Sequence, residues 1–306
     1  MSQHMSVRIR VPIEPDNPSI ERIESLCVKC GLCTKVCRDP IGVLGKYELQ
    51  ETGDKAVCIH CGQCANVCPT ASIVEKSEVE SVQKALADTT KVVVFTASPA
   101  VRVSLGEAFG AAPGSFVQGK MVALLRRLGA NYVFDTDFGA DLTIMEEARE
   151  LADRIRSGSG PLPQFTSCCP AWVKFCEIFH PEILGNLSQA KSPIAMQGAT
   201  IKSYFAKITG IDPAAIVNVA VTPCTAKKFE IRRPEMNAAG RRIGKPEIRD
   251  TDYVITAREL ARWAKEEKID FSALPESAFD SPLGTASGAG VIFGNTGGVM
   301  EAALRT

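Results

Sequence analysis

The sequence is short of several things, and each shortage removes a class of function. Charge of one sign is not in excess: Lys plus Arg is 35 and Asp plus Glu is 35. Nothing in that balance calls for nucleic acid or an anionic membrane as a partner. No apolar run approaches the roughly 20 residues of a membrane span. The opening stretch, MSQHMSVRIRVP, has no apolar core of the export-signal kind, so a cytoplasmic protein is expected. Histidine is scarce. Of the three, His4 lies in a polar arm, His60 falls between cysteines and His180 precedes Pro181. Each reads as structural or solvated rather than as a ligand. What is left is a chain of 306 residues, 45% of them hydrophobic, enough for two domains and a sizeable core.

Cysteine is not scarce: there are 12, and most fall into two copies of one pattern. The first copy is Cys27-Val-Lys-Cys30-Gly-Leu-Cys33-Thr-Lys-Val-Cys37, and the second is Cys58-Ile-His-Cys61-Gly-Gln-Cys64-Ala-Asn-Val-Cys68-Pro69. This is C-x2-C-x2-C-x3-C twice, the spacing of two 4Fe-4S clusters in two-cluster ferredoxins. One tight loop offers three thiolates to a cubane, and the fourth comes from the last Cys of the other copy. Cluster one therefore takes Cys27, Cys30, Cys33 and Cys68. Cluster two takes Cys58, Cys61, Cys64 and Cys37. Gly31 and Gly62 let the backbone curl around the sulfurs. A disulfide framework suits small secreted domains, and zinc sites use ligands in pairs rather than in runs of four.

Along the chain, residues 1–20 are polar, carry Pro12, Pro15 and Pro18, and read as an extended arm. Residues 21–78 hold both cysteine runs, and a charged, helix-like stretch, Glu75 to Leu86, follows as a bridge. From residue 88 a second domain runs to residue 306. Lys91–Phe95, Tyr132–Phe134, Gln164–Thr166, Ile216–Val221 and Tyr253–Ile255 read as strands. Helices are expected through Met121, Leu124, Leu125 and Leu128, over Leu142–Ile155, Ala171–Phe179 and Ala257–Lys268, and from Val299 onward. Such alternation predicts an α/β domain with largely parallel sheets. Working groups in such sheets sit beyond the carboxyl ends of strands. Cys168, Cys169 and Cys224 are expected at such ends. The chain stops at Thr306 within a helical pattern, which looks like a cut.

Thr166-Ser-Cys168-Cys169-Pro-Ala-Trp172 sets two thiols side by side. Thr222-Pro-Cys224-Thr-Ala-Lys227-Lys228-Phe-Glu230 sets another beside two lysines, which favour the metal-binding thiolate. On spacing alone these could equally be buried structural cysteines. Cys176, single and on the Trp172 helix, reads as a packed thiol. Glu147, Glu150 and Arg154 share one helix face, where Glu150 and Arg154 could be an ordinary surface pair.

These motifs resemble the iron-only (FeFe) hydrogenases. TSCCPAW is similar to their first active-site signature and TPCTAKKFE to the second. GADLTIMEEARELADRI, SGAGVIFGNTGGVMEAALRT and the paired cysteine runs match as well, from about residue 21 to the last residue. The resemblance implies a small α+β ferredoxin-like domain ahead of an α/β catalytic domain. It also implies a 4Fe-4S cubane joined to a two-iron unit carrying CO, cyanide and a dithiolate. Cys169 and Cys224 match two of the four cubane ligands, and Cys168 matches the thiol that passes protons. Lys227 matches a cyanide contact, and Glu147, Glu150, Ser188 and Arg154 match the proton route. Pro99 and Phe293 match residues lining the two-iron pocket. The implied activity is 2 H⁺ + 2 e⁻ ⇌ H₂ with ferredoxin as electron carrier and maturation proteins as partners. An iron-sulfur electron-transfer or assembly protein and a hydrogen sensor are the alternatives. Thr222, Ala171 and Asn295 depart from the family's usual Met, Gly and Ala. The third signature, a C-x3-C, would fall beyond Thr306.

The chain should bind two 4Fe-4S clusters, about eight irons. Anaerobic reconstitution followed by iron counting and EPR of the reduced protein checks this; a zinc-only or single-cluster protein would refute it.

Overall fold

The computed structural model describes residues 9–158 and 160–306. The described residues form two compact units. One runs up to Lys76 and also takes in the distant segment Cys224–Phe229. The other comprises Ser77–Pro223 and Glu230–Thr306.

In the first unit, β1 (Ile20–Arg22) pairs antiparallel with β2 (Ile73–Glu75). Between them lie two short helices, α1 (Leu32–Arg38) and α2 (Gln63–Asn66). Each begins just after the second Cys of its run, on Gly31 or Gly62. Val11, Ile20, Cys64 and Ile73 form the unit's small core. Residues 1–8 of the stretch expected as an arm lie outside the described residues; in the remainder Val11, Asn17, Ser19 and Ile20 are buried.

The second unit is an α/β domain around a four-stranded, all-parallel sheet. Its strands are β3 (Val92–Ala97), β4 (Tyr132–Asp135), β5 (Ile216–Thr222) and β6 (Tyr253–Thr256), in the order β4-β3-β5-β6. β3 and β5 are nearly continuous β-branched runs, the composition of strands covered on both faces. Their side chains are buried almost throughout. The chain steps outward from β3 to β4 and then returns to the other side of β3 as β5. Such a reversal opens a crevice beyond the carboxyl ends of the strands. Pro99 follows β3 there, and Pro223 follows β5.

Helices α3 (Val79–Ala87), α4 (Val101–Ser104) and α5 (Gln118–Arg127) lead to the long α6 (Asp137–Ser157). Met121, Leu124 and Leu125 of α5 join Val93, Phe95, Val219 and Ile255 of the sheet in the main core. α6 starts five residues before the expected Leu142, with Asp137, Phe138 and Gly139 in its first turn. Farther along come α7 (Pro170–Phe179) and α8 (Pro193–Thr200). Gly139 lets α6 approach α8: a Cβ on it would lie 2.3 Å from the Pro193 carbonyl oxygen.

One expectation is corrected. Gln164–Thr166 is not a strand. Phe165 makes a single parallel bridge to Leu187, with Phe165 N–H donating to Asn186 O at 2.8 Å and Ser188 N–H to Phe165 O at 2.7 Å. Pro161, Pro163 and Pro170 supply no N–H, so a ladder cannot extend. Cys168 and Cys169 thus follow a bridge, not a sheet strand. The bridge region expected from Glu75 to Leu86 also divides: Glu75 ends β2, and α3 begins only at Val79.

Gly139→Ala should destabilise the protein by about 1–3 kcal/mol through overpacking, although alanine is the better helix former by about 1 kcal/mol. Urea midpoints measure this; an unchanged or raised midpoint would contradict the close approach.

Candidate functional site: thiol-lined cavities and a buried acid chain

The two cysteine runs curl in the same way. Lys29 and Gly31 in the first, and His60 and Gly62 in the second, adopt left-handed backbone conformations with φ of 55°, 81°, 63° and 73°. This repeat turns the thiols inward. One cavity is lined by Cys27, Cys30, Cys33 and Cys68. A second is lined by Cys37, Cys58, Cys61 and Cys64. Each draws its fourth thiol from the other run, as the crossed ligand pattern requires. None of the twelve cysteines is in a disulfide. Among the described residues no group of three or more His, Cys, Asp or Glu side chains is set to hold a single metal ion. Thiols spread around a cavity fit a cubane, whose iron corners stand apart, better than they fit zinc.

The two cavities differ in depth. Cys30 is exposed, and its neighbour Val28 keeps 63% of its surface. Cys27 is held below the usual thiol range, chiefly by the Lys29 N–H. At Cys68 burial pushes upward, but N–H groups of Ile73, Thr70 and Ser72 outweigh it and its pKa falls. In the second cavity burial dominates. It pushes Cys37 up to about 11 and raises Cys61 and Cys64 as well.

The segment bearing Cys224 is fastened to the second loop. The Thr225 hydroxyl donates to the His60 carbonyl oxygen at 2.7 Å. A Cβ on Gly62 would lie 2.5 Å from Thr225 Oγ1, so glycine alone fits. The Phe229 ring stacks on His60 with centroids 4.4 Å apart. Cys224 lies near enough to Cys61 for a charge on it to raise the Cys61 pKa. Lys227 is buried in the same segment. His60 is thus structural, and its place in the left-handed turn carries no sequence signal beyond its position between ligands.

In the second unit, Cys168 and the exposed Cys169 precede α7 directly. The cysteines matched to the cubane are therefore divided, Cys169 in the second unit and Cys224 in the first. Phe293 is followed by Gly294, where a Cβ would meet Pro99 Cβ at 3.4 Å, so these two parts of the chain meet.

α6 brings the acids together. Glu150 accepts from Ser188 Oγ at 2.7 Å, from the Gln189 N–H at 2.9 Å and from Arg154 Nη2 at 2.6 Å. Arg154 also donates to the carbonyls of Pro161, Gly185 and Leu187. The pair keeps only 8% and 20% of its side-chain surface, so it is not the solvated surface pair that the spacing alone allowed. Burial pushes Glu150 upward, but Ser188, Gln189 and Arg154 together hold it below the usual carboxylate range. Glu147, one turn earlier, is 2% exposed, and neither of its oxygens has a hydrogen-bond partner in full geometry. Burial lifts it to about 7, with Ser188 and the Ser167 N–H holding the rise back. The Glu150–Arg154 end borders an open cavity of about 720 Å³ that Glu146, Arg149 and Asp153 also line.

Paired thiol-lined cavities ahead of a parallel α/β domain define an iron–sulfur protein. The 4Fe-4S dicluster domain matches residues 16–73. The C-terminal domain of the iron-only hydrogenase large subunit matches residues 91–306. The chain belongs to the iron-only hydrogenase family. It is 47% identical over 292 residues to iron hydrogenase 1 of Clostridium pasteurianum, covering 92% of this chain and 50% of that protein. It is 33% identical over 225 residues to cytosolic iron-sulfur assembly component 3 of Bos taurus, covering 71% of this chain and 46% of that protein. A solved variant of the [FeFe]-hydrogenase HydA1 from Chlamydomonas reinhardtii superposes with a TM-score of 0.67 at 45% identity, covering 75% of this chain and 57% of that one. The chain spans about half the length of the hydrogenase from C. pasteurianum.

Glu147 makes stability fall with pH. The fold keeps its proton up to about 7, whereas the unfolded chain releases it near the ordinary carboxyl value of about 4.3. Stability is therefore intact below that value and is lost as pH rises to about 7. Glu147→Gln should add about 3 kcal/mol at pH 8 and little at pH 4. Urea midpoints at both pH values decide; a gain that does not depend on pH would assign the effect to packing.

Proposed function

We propose that the chain is the electron-delivering and proton-delivering part of an iron-only hydrogenase that interconverts protons and H₂. The observation that carries this reading is the hydrogen bond from Thr225 to His60. It fastens the second cluster loop to the segment bearing Cys224 and Lys227. Cys27, Cys30, Cys33 and Cys68 would hold cluster one, and Cys58, Cys61, Cys64 and Cys37 cluster two. Cys169 and Cys224 would supply two ligands of the active-site cubane. Lys227, Pro99 and Phe293 would face a two-iron unit carrying CO, cyanide and a dithiolate. When bound, that group supplies the redox chemistry of hydrogen, while the protein supplies binding and positioning.

Exposure orders the electron path. A ferredoxin-type carrier meets the rim where Cys30 and Val28 are exposed. The more buried second loop lies inward, against the Cys224 segment.

The proton path follows α6. Arg154 fixes the Glu150 carboxylate, and the Ser188 hydroxyl donates to Glu150 Oε2. The same hydroxyl and the Ser167 N–H act on Glu147. A carboxyl poised near neutral pH is suited to both accepting and releasing a proton. Cys168, next to Ser167, would take the proton at Sγ. A chain of titratable groups is needed because a free charge is costly to bury.

Maturation proteins would install the two-iron unit. A reducing cytoplasm suits twelve cysteines without a disulfide. Relatives named as iron-sulfur assembly factors support a second reading, in which the chain carries clusters without turning over hydrogen. Cys168, Lys227 and Phe293, which match the hydrogenase pattern, favour the first.

The test uses the full-length protein produced anaerobically with the maturation machinery. Cys168→Ser should lower turnover by about 10²–10⁴-fold while iron content and the infrared bands of bound CO persist. Cys169→Ser should lose the metal itself. Wild-type protein with full iron but no CO bands and no hydrogen would favour the assembly reading. Full activity in Cys168→Ser would remove that thiol from the proton path.

A further inference from the structure

α6 buries a second acid that the proton path does not use. Asp137, its first residue, is 1% exposed. Neither carboxylate oxygen has a hydrogen-bond partner or meaningful contact with solvent. One cation stands nearby, the buried Arg102 of α4, and its charge is already engaged. Arg102 Nη2 donates to Asp135 Oδ1 at 2.6 Å and Nη1 to Asp135 Oδ2 at 3.2 Å. Nη1 also donates to Gln118 Oε1 at 2.8 Å. It stands 3.5 Å from Asp137 Oδ2, too far for a good hydrogen bond. Asp137 and Asp135 are themselves close, since the Asp137 N–H donates to Asp135 Oδ1 at 3.1 Å.

Two carboxylates around one guanidinium leave one negative charge uncompensated. A buried charge must be paired or neutralised. The oxygens of Asp137 are buried and without a hydrogen-bond partner, and a proton neutralises such a charge without any further ligand. We propose that Arg102, Asp135 and Asp137 form a second buried proton-binding site, with the proton held on Asp137 and separate from the Glu147 chain. The two acids are ten residues apart on α6, about 15 Å along its axis.

The surroundings agree. Gln197 Oε1, also buried, is an acceptor without a partner, and it borders the same cavity of about 310 Å³ as Asp137. A proton converts the carboxyl from acceptor to donor, which a site with spare acceptors can use. The other charges facing Asp137 are few. Asp141 on α6 disfavours a carboxylate there. Asp280, which lines the cavity, is paired with Arg126 at 3.0 Å. α8 brings Gln197 and no charged residue. Burial, then Asp135, push Asp137 up to about 6 against the pull of Arg102. The site therefore fills as pH falls through about 6 and empties above it. Ser281 and Thr285 also line the cavity, and their hydroxyls can both accept and donate a proton-carrying hydrogen bond.

Infrared spectroscopy of the intact cluster-loaded protein tests this, because a protonated carboxyl has a C=O stretch apart from the carboxylate bands. In Glu147→Gln a band should remain that disappears as pH rises through about 6. In the double variant Glu147→Gln, Asp137→Asn it should be missing. Wild-type protein labelled with ¹³C at the aspartate carboxyl decides even if Asp137→Asn fails to fold: the band must shift with the label. No label-sensitive band at pH 5 overturns the proposal. So does a midpoint that moves when one alkali cation replaces another, which would mean a metal ion occupies the site.

Discussion

The functional arrangement of the first unit rests on one hydrogen bond, from the Thr225 hydroxyl to the His60 carbonyl. It exists only because the second cysteine run turns left-handed at His60 and again at Gly62. That turn presents a backbone carbonyl outward while the thiols face inward. Gly62 must then lack a Cβ for two reasons, its φ of 73° and the Thr225 hydroxyl that occupies the space. The first run has the same turn at Lys29 and Gly31, but its Gly31 faces nothing closer than the Ile9 carbonyl at 3.9 Å. Repetition built the two cavities. Contacts made to one of them by a segment far along the chain, with Thr225 and Phe229 both on His60, distinguish the second.

In the second unit the corresponding constraint is buried charge. α6 carries Asp137, Glu147 and Arg154 out of solvent, and each handles the cost differently. Arg154 is compensated by Glu150 and three carbonyls. Glu150 keeps its negative charge because Ser188, the Gln189 N–H and Arg154 all donate to it. Glu147 and Asp137 lack a strong partner, and burial raises both toward neutral pH. Differences in hydrogen bonding along one helix thus sort its acids into a fixed anion and two proton holders. The helix can hold this pattern because Gly139 seats it against α8, with Ser188 delivered by the chain that leads into α8.

Much of this was legible in the sequence, and the reason differs by element. The cysteine spacing carries cluster chemistry because a cubane imposes its own geometry on a loop. β3 and β5 are legible because parallel strands buried on both faces need unbroken β-branched runs. The start of α6 was not, since Asp137-Phe-Gly139 is held helical by packing against α8. Gln164–Thr166 misled in the other direction: a strand-like composition between prolines forms one bridge. The burial of Arg154 was invisible as well. An i, i+4 pair reads the same on a surface as in an interior, and only the carbonyls of Pro161, Gly185 and Leu187 make the difference.

The thiols follow the same logic as the carboxylates, with the sign of the outcome set by depth. Near the surface, N–H groups directed at Cys27 and Cys68 favour thiolates before any iron is present. Deeper, burial keeps the protons on Cys37, Cys61 and Cys64. Iron must displace those protons, so cluster binding at the second loop is coupled to proton release. Burial also protects. A thiol kept protonated and shielded is slow to oxidise, and a cluster that has replaced those protons is screened from solvent in turn. The loop whose thiols are the more deeply buried is thus the one that carries the Thr225 bond, next to the segment with Cys224.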